Sequence, residues 1–326
     1  MNPPAFWQHD GLLPRLLSPA AAIVTRFTAR RVAQPGWRAP VPVLCCGNAG
    51  VGGAGKTTLV LDLGRRLHAR GLSVHFLTRG YGGRVLREDK VGVVRVLPGV
   101  HRADWVGDEP LLLAEVAPTW VCQDRAAGAR AAIAAGAEVL LMDDGLQNPT
   151  LQRTASLLVI DGTVGFGNGR VLPAGPLREP AAAAAARCRA AVLIGDDAQG
   201  ALDAVPSLPV LRARLVPDTQ LPAVRVLAFA GIGRPDKFFA TIRQSGAVLV
   251  GAVPFPDHHA YRLGELQDLF DRAERAFATP VTTPKDAMRL SPADREQVQI
   301  VGVRLLWEDE PELERWLDCW IDGALR

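Results

Sequence analysis

The chain has 326 residues, 48% of them hydrophobic, and a formal charge of +3 from 37 Lys and Arg against 34 Asp and Glu. That length supports a large core and predicts two domains, and a charge so close to balance calls for no nucleic acid. Two Tyr argue against a surface of stacked aromatics for single strands, and five Cys without a C-x-x-C pair leave no zinc or dithiol motif and point to a reducing compartment.

No apolar run approaches the roughly 20 residues of a membrane span, and the first residues do not form a cleavable signal. Residues 1–40 are rich in Arg. Within 12–32, Leu12, Leu13, Leu16, Leu17, Ala21, Ile23, Val24 and Phe27 are interspersed with Arg15, Arg26, Arg30 and Arg31. A basic amphipathic segment of this kind either lies on an anionic membrane surface or packs on the protein's own core with its arginines in solvent. A short apolar strand, 43–46, then runs into GNAGVGGAGKTT at 47–58. Gly50, four residues, Gly55, Lys56 and Thr57 have the spacing of a phosphate-binding loop. Glycines let backbone N–H groups turn onto a phosphate, Lys56 can reach the β- and γ-phosphates, and the Thr57 hydroxyl can ligate Mg²⁺. Asn48, Gly50, Gly52, Gly53, Gly55, Lys56, Thr57 and Thr58 are the expected nucleotide contacts.

A helix follows at 56–70 and a strand at 73–78, leading into the RGYGG of 79–83. Residues 84–104 read as a mixed stretch with a short Val-rich strand. Asp108, in the GDEP of 107–110, reads as a helix N-cap. A strand near 120–121, an Ala-rich helix at 125–135 and a strand at 138–142 come next. Strand 156–160 ends at Asp161 and enters a Gly- and Pro-rich loop, 162–180, whose length suggests function. A short helix at 181–186 and strands at 190–194 and 209–215 lead to a Pro-bearing junction at 217–222. Beyond it strand 225–230, helix 235–244, strand 247–251, helix 263–277, strands 279–283 and 299–303 and helix 311–322 alternate again. Such alternation predicts an α/β fold: a P-loop NTPase-like parallel-sheet domain over 41–220, behind the 1–40 segment, and a smaller α/β C-terminal domain over 221–326.

Asp143 closes an apolar strand in the manner of a Walker B carboxylate that holds the metal, and Asp144 follows it. Transfer to an alcohol also needs a group that takes the hydroxyl proton. Asp108, Glu109, Glu179 and the cluster Asp257, His258 and His259 are candidates. Arg79, Arg125, Arg170 and Arg178 sit at strand or loop ends and could bind anionic groups. No guanine-specifying N-K-x-D is present; the string Thr283-Pro284-Lys285-Asp286 does not fit it.

Taken together, GNAGVGGAGKTT, TRGYGG at 78–83, VGDEPLLLA at 106–114, DDGLQN at 143–148, GFGNGRVLPAGPLREP at 165–180, FAGIGRPDKFF at 229–239, PDHHAY at 256–261 and TPKDAM at 283–288 resemble the tetraacyldisaccharide 4′-kinase (lipid A 4′-kinase) family. The resemblance implies ATP- and Mg²⁺-dependent phosphorylation of the 4′-hydroxyl of tetraacyldisaccharide 1-phosphate, at the cytoplasmic face of the bacterial inner membrane. It implies an active site in the cleft between two α/β domains, with a lipid substrate, a membrane surface, no nucleic acid and no obligate protein partner. By resemblance Asp108 and His258 form a catalytic pair. Asp143, Asp144, Gln147 and Glu179 match positions tied to the metal and the reacting groups, and Arg79, Tyr81, Arg125 and Asn168 match substrate-side positions. Thr58, Thr78, Asn148 and Thr154 depart from the family's usual Pro, Ser, His and Asp.

Overall fold

The computed structural model describes residues 4–88 and 92–325. Residues 89–91 of the mixed 84–104 stretch, and residues 1–3 of the N-terminal segment, lie outside them. The strands are β1 (Val43–Gly47), β2 (Val74–Thr78), β3 (Val93–Arg95), β4 (Thr119–Cys122), β5 (Val139–Asp143), β6 (Ala155–Asp161), β7 (Ala190–Ile194), β8 (Val210–Pro217), β9 (Arg225–Ala230), β10 (Val248–Pro254), β11 (Thr279–Thr282), β12 (Gln299–Ile300) and β13 (Val303–Trp307). Among the described residues they form a nine-stranded sheet in the order β13-β8-β7-β6-β1-β5-β2-β4-β3 and a four-stranded sheet in the order β10-β9-β11-β12.

The large sheet is parallel except at its edges, where β13 pairs antiparallel with β8 and β3 with β4. Every residue of β1, β5 and β6 is buried, which is why these strands read as unbroken apolar runs rather than as alternation. Helix Lys56–Ala69 covers one face, packing Leu59, Val60, Leu63 and Leu67 with Leu44, Phe76 and Leu141. Helix Arg125–Ala134 covers the other with Ala129 and Ala132, in one cluster with Leu140 and Met142. The small sheet is enclosed likewise. Phe238, Phe239 and Ile242 of helix Pro235–Gln244 pack on Val226 and Ala228, while Leu266, Leu269 and Ala273 of helix Leu263–Arg275 pack on Leu227 and Phe229.

The chain then returns. The single strand read at 299–303 is two: β12 joins the small sheet, and β13 crosses back to the large one, with Leu305 opposite Leu215 of β8. Helix Glu310–Leu325 follows it and buries Leu313, Leu317 and Trp320 with Leu305 and Trp307 in the core of the large sheet. A C-terminal unit of 221–326 is therefore too long; residues 303–325 pack with the first unit. The physical reason is that β8 would otherwise expose an unpaired edge and an uncovered apolar face.

Helix Leu12–Val32 rests on the large unit through Pro14, Leu17, Ala21 and Val24. Its other side leaves Leu12 82%, Leu16 76% and Phe27 67% exposed, with Ile23 between them. One side of this helix thus packs on the protein's own core, and the opposite side is exposed and apolar. Among the described residues no helix is long and apolar enough to cross a membrane.

Candidate active site

The phosphate loop, Thr78, Asp143 and Asp161 all lie at the C-terminal ends of β1, β2, β5 and β6, where open α/β sheets bind ligands. Gly55 stands just before helix Lys56–Ala69 at φ 84°, a backbone that L-residues rarely adopt. Lys56 is buried and folds back on its own loop, donating to Asn48 Oδ1 at 3.0 Å and the Gly52 carbonyl at 3.2 Å. The end of the 162–180 loop braces this loop from outside: Val51 N donates to the Pro176 carbonyl, and Arg178 N to that of Ala49.

Thr57 Oγ1 donates to Asp143 Oδ2 at 3.2 Å. Asp143 Oδ1 is buried with no hydrogen-bond partner among the described residues. Burial, reinforced by the charges of Glu109 and Asp144, pushes the Asp143 carboxyl up to about 7. A hydroxyl beside an unsatisfied carboxylate oxygen is a hard-cation donor set, so Thr57 and Asp143 fit Mg²⁺. Asp144, at φ 54°, is gripped by Arg178 Nη1 at 2.9 Å to each oxygen and lies 3.9 Å from Lys56 Nζ. Burial opposes its ionisation, but Lys56 and Arg178 outweigh burial and keep its pKa low. The other two expected metal ligands do not join the Thr57–Asp143 pair. Gln147 Nε2 donates to Glu179 Oε1 at 2.7 Å, and Arg187 Nη2 takes both Glu179 oxygens at 2.7 Å. Glu179 is neutralised by that arginine, which the sequence did not mark.

Asp108 and His258 meet across the cleft, with Nδ1 3.1 Å from Asp108 Oδ2. Asp108 is not an N-cap. Gly107 holds that position at φ 98°, where a Cβ would lie 2.7 Å from the Tyr81 carbonyl, and Asp108 is the first helical residue of Asp108–Ala114. His258 sits at φ 58°, a costly backbone for a non-glycine residue. Its amide donates to the Gly231 carbonyl and its ring packs on Tyr81 with centroids 5.4 Å apart. Burial would raise the Asp108 pKa, but the His258 hydrogen bond and the charges of Arg289 and Lys285 hold it well below the usual carboxylate range. Conversely, the hydrogen bond to Asp108 raises His258 above an ordinary histidine, against its partial burial.

Five residues given no site role from the sequence surround this pair. Arg289 donates Nε to Asp108 Oδ2 at 3.0 Å and Nη1 to Asp286 Oδ1 at 3.0 Å. Asp286 also accepts from Tyr261 Oη and Thr283 Oγ1, each at 2.6 Å. Glu109, beside Asp108, is ion-paired with Lys285. The string 283–286 is thus no guanine reader; it anchors the second unit onto the acidic start of helix Asp108–Ala114. A signal was present in its clustered Thr, Lys and Asp, but only the fold brings Lys285 to Glu109 and sets Asp286 behind Arg289.

The expected substrate-side residues divide. Arg79 and Tyr81 are exposed, Tyr81 beside His258. Arg125 is buried, its Nη1 donating to the Cys122 carbonyl and its Nε without a partner among the described residues. Asn168 is spent on the backbone: Nδ2 donates to the Phe6 and Ala174 carbonyls, and Oδ1 accepts from Arg170 N at 3.1 Å. It ties the N-terminal segment to the 162–180 loop. Thr58 is part-buried in the first turn of helix Lys56–Ala69.

The sequence matches the family described as tetraacyldisaccharide-1-P 4′-kinase over residues 13–322. A tetraacyldisaccharide 4′-kinase of Gluconacetobacter diazotrophicus is 58% identical over 330 residues, 99% of each chain. One of Rhodospirillum centenum is 52% identical over 335 residues, 99% of this chain and 98% of that one. Among solved structures, the "apo" form of LpxK from Aquifex aeolicus in complex with ATP superposes with a TM-score of 0.75 at 24% identity, covering 95% of this chain and 100% of that chain. At that identity the likeness speaks for the fold.

Proposed function

Because the chain belongs to the tetraacyldisaccharide-1-P 4′-kinase family, we propose that it transfers the γ-phosphoryl group of ATP to the 4′-hydroxyl of tetraacyldisaccharide 1-phosphate in lipid A biosynthesis. The observation that carries this reading is the Asp108–His258 pair, joined by Arg289, in a chain that also carries the phosphate loop. A carboxylate can only accept, so His258 Nδ1 carries the proton toward Asp108 and leaves Nε2 as the base. Nε2 takes the 4′-hydroxyl proton as the oxygen attacks phosphorus, and Asp108 stabilises the imidazolium that forms. Lys56 exchanges Asn48 and the Gly52 carbonyl for phosphate oxygens. Thr57 and Asp143 would hold Mg²⁺, which supplies charge neutralisation on the phosphates. Asp144, fixed by Arg178, lies beside Lys56 and helps orient it toward the phosphates.

The substrate's acyl chains require access to a bilayer. Helix Leu12–Val32 offers Leu12, Leu16, Ile23 and Phe27 as an outward apolar stripe, with Arg30 and Arg31 in its last turn. This is the composition of an interfacial helix that binds anionic lipid, and it supports peripheral attachment to the cytoplasmic face of the inner membrane. The test is incubation of the purified protein with radiolabelled ATP, Mg²⁺ and tetraacyldisaccharide 1-phosphate in detergent. Label appears in the lipid if the reading is right; ATP hydrolysis without labelled lipid refutes it.

A further inference from the structure

Arg234 precedes helix Pro235–Gln244 in the second unit, yet its guanidinium lies on the phosphate loop of the first. Nη2 donates to the Gly53 carbonyl at 2.6 Å and to Asp161 Oδ2. Lys237, in the same first turn, donates Nζ to that same Asp161 oxygen at 2.7 Å. Asp161 ends β6, and its other oxygen is occupied by Thr163, whose N and Oγ1 donate at 3.2 and 2.7 Å. Two cations therefore share one carboxylate oxygen at the rim of a loop built to bind phosphate. They are not buried there: the side chains of Arg234 and Lys237 are 37% and 43% exposed, that of Asp161 10%. Nε and Nη1 of Arg234 have no acceptor among the described residues. A guanidinium has five N–H donors in a fixed fork, so three remain unspent beside the loop.

An excess of positive charge with free donors, set on the loop by a separate unit, is an arrangement for an anion not yet present. We propose that Arg234 and Lys237 are contacts for the nucleotide polyphosphate, supplied across the cleft by the second unit, and that Asp161 occupies them until the nucleotide arrives. The proposal rests on the ATP reading above. Exchange of Asp161 for phosphate oxygens seats the second unit on the loaded loop. That unit also carries His258, so nucleotide binding and placement of the base are coupled.

The alternative is a clasp that only ties the two units together. The two differ in sign. Breaking either half of a clasp loosens it, so Arg234→Ala and Asp161→Asn would change nucleotide affinity in the same direction. In the exchange arrangement, removing Arg234 removes a ligand contact, whereas removing the Asp161 charge removes a competitor. Asparagine retains the Oδ1 contacts to Thr163. The experiment is calorimetric titration of the full-length protein with Mg·ATP, without lipid acceptor, followed by kcat and KM for ATP with acceptor. Arg234→Ala weakens ATP binding by at least about tenfold, the scale of one charged hydrogen bond, and Arg234→Lys recovers part of the loss. Asp161→Asn tightens binding. Unchanged affinity in Arg234→Ala, or weaker binding in Asp161→Asn, overturns the proposal while wild-type turnover leaves the kinase reading standing. A wild type that neither binds ATP nor labels lipid overturns both.

Discussion

Replacing Asp108 by Asn keeps the side chain's shape and removes its charge, and the structure allows the consequence to be worked out. Asp108 Oδ2 faces His258 Nδ1 at 3.1 Å and Arg289 Nε at 3.0 Å. Full charges at about 3 Å interact by roughly 5 kcal/mol at an effective dielectric of about 20. The His258 side chain is 29% exposed, and Arg289 competes for the same oxygen. Solvent and that competition screen the interaction, so only part of it acts on the imidazolium. The sign follows from the role of the base. His258 accepts a proton only when neutral, and Asp108 raises its pKa. In the native enzyme kcat/KM falls as pH drops through a value above that of an ordinary histidine. In Asp108→Asn this acid limb moves to lower pH, while the plateau falls by about 10²-fold through lost orientation and lost stabilisation of the imidazolium. The assay is lipid phosphorylation across about pH 5.5 to 8.5 at saturating Mg·ATP. An acid limb that stays in place, together with near-native turnover, refutes the assignment of His258 and Asp108.

Arg289→Met shifts the same limb the opposite way, to higher pH, because the arginine's charge depresses His258. It also strips a partner from the buried carboxylates Asp108 and Asp286, costing about 3–5 kcal/mol in urea unfolding; a stability within error of wild type would argue against the network. Leu16→Glu with Phe27→Glu abolishes sedimentation with anionic vesicles but leaves turnover on detergent-dispersed substrate intact, since both side chains point away from the core; equal sedimentation would discard the helix as the membrane contact. Trp320→Ala lowers the stability of the large unit by about 3–5 kcal/mol through the cavity left against Leu313 and Leu317. A change below about 1 kcal/mol would mean that helix Glu310–Leu325 is not part of that core.

The local elements were legible because they rest on local physics. Apolar runs gave the buried strands, and the spacing Gly50, Gly55, Lys56, Thr57 marked the anion loop without knowledge of any partner. The pairing of Asp108 with His258 was reached by resemblance, not by spacing, since 150 residues separate them. Arg289 and Lys285 were missed because an arginine or lysine in a short helical string looks like a solvated surface residue until the small sheet is laid against helix Asp108–Ala114. Arg125 and Asn168 show the converse: polar residues near glycine-rich stretches look available, and only packing shows Arg125 buried and the Asn168 amide spent on backbone carbonyls.

By itself, then, the amino-acid sequence determined where a phosphate-binding loop would form, which strand would bring a carboxylate beside it, and that an apolar, basic helix would precede them. The tertiary structure decided which cations meet which carboxylates across the cleft, and that the last strand and helix belong with the first sheet. Periodicity and loop spacing act over a few residues and are written in order along the chain. Charge pairing and edge coverage depend on which surfaces the two units turn toward each other, and no local pattern encodes that.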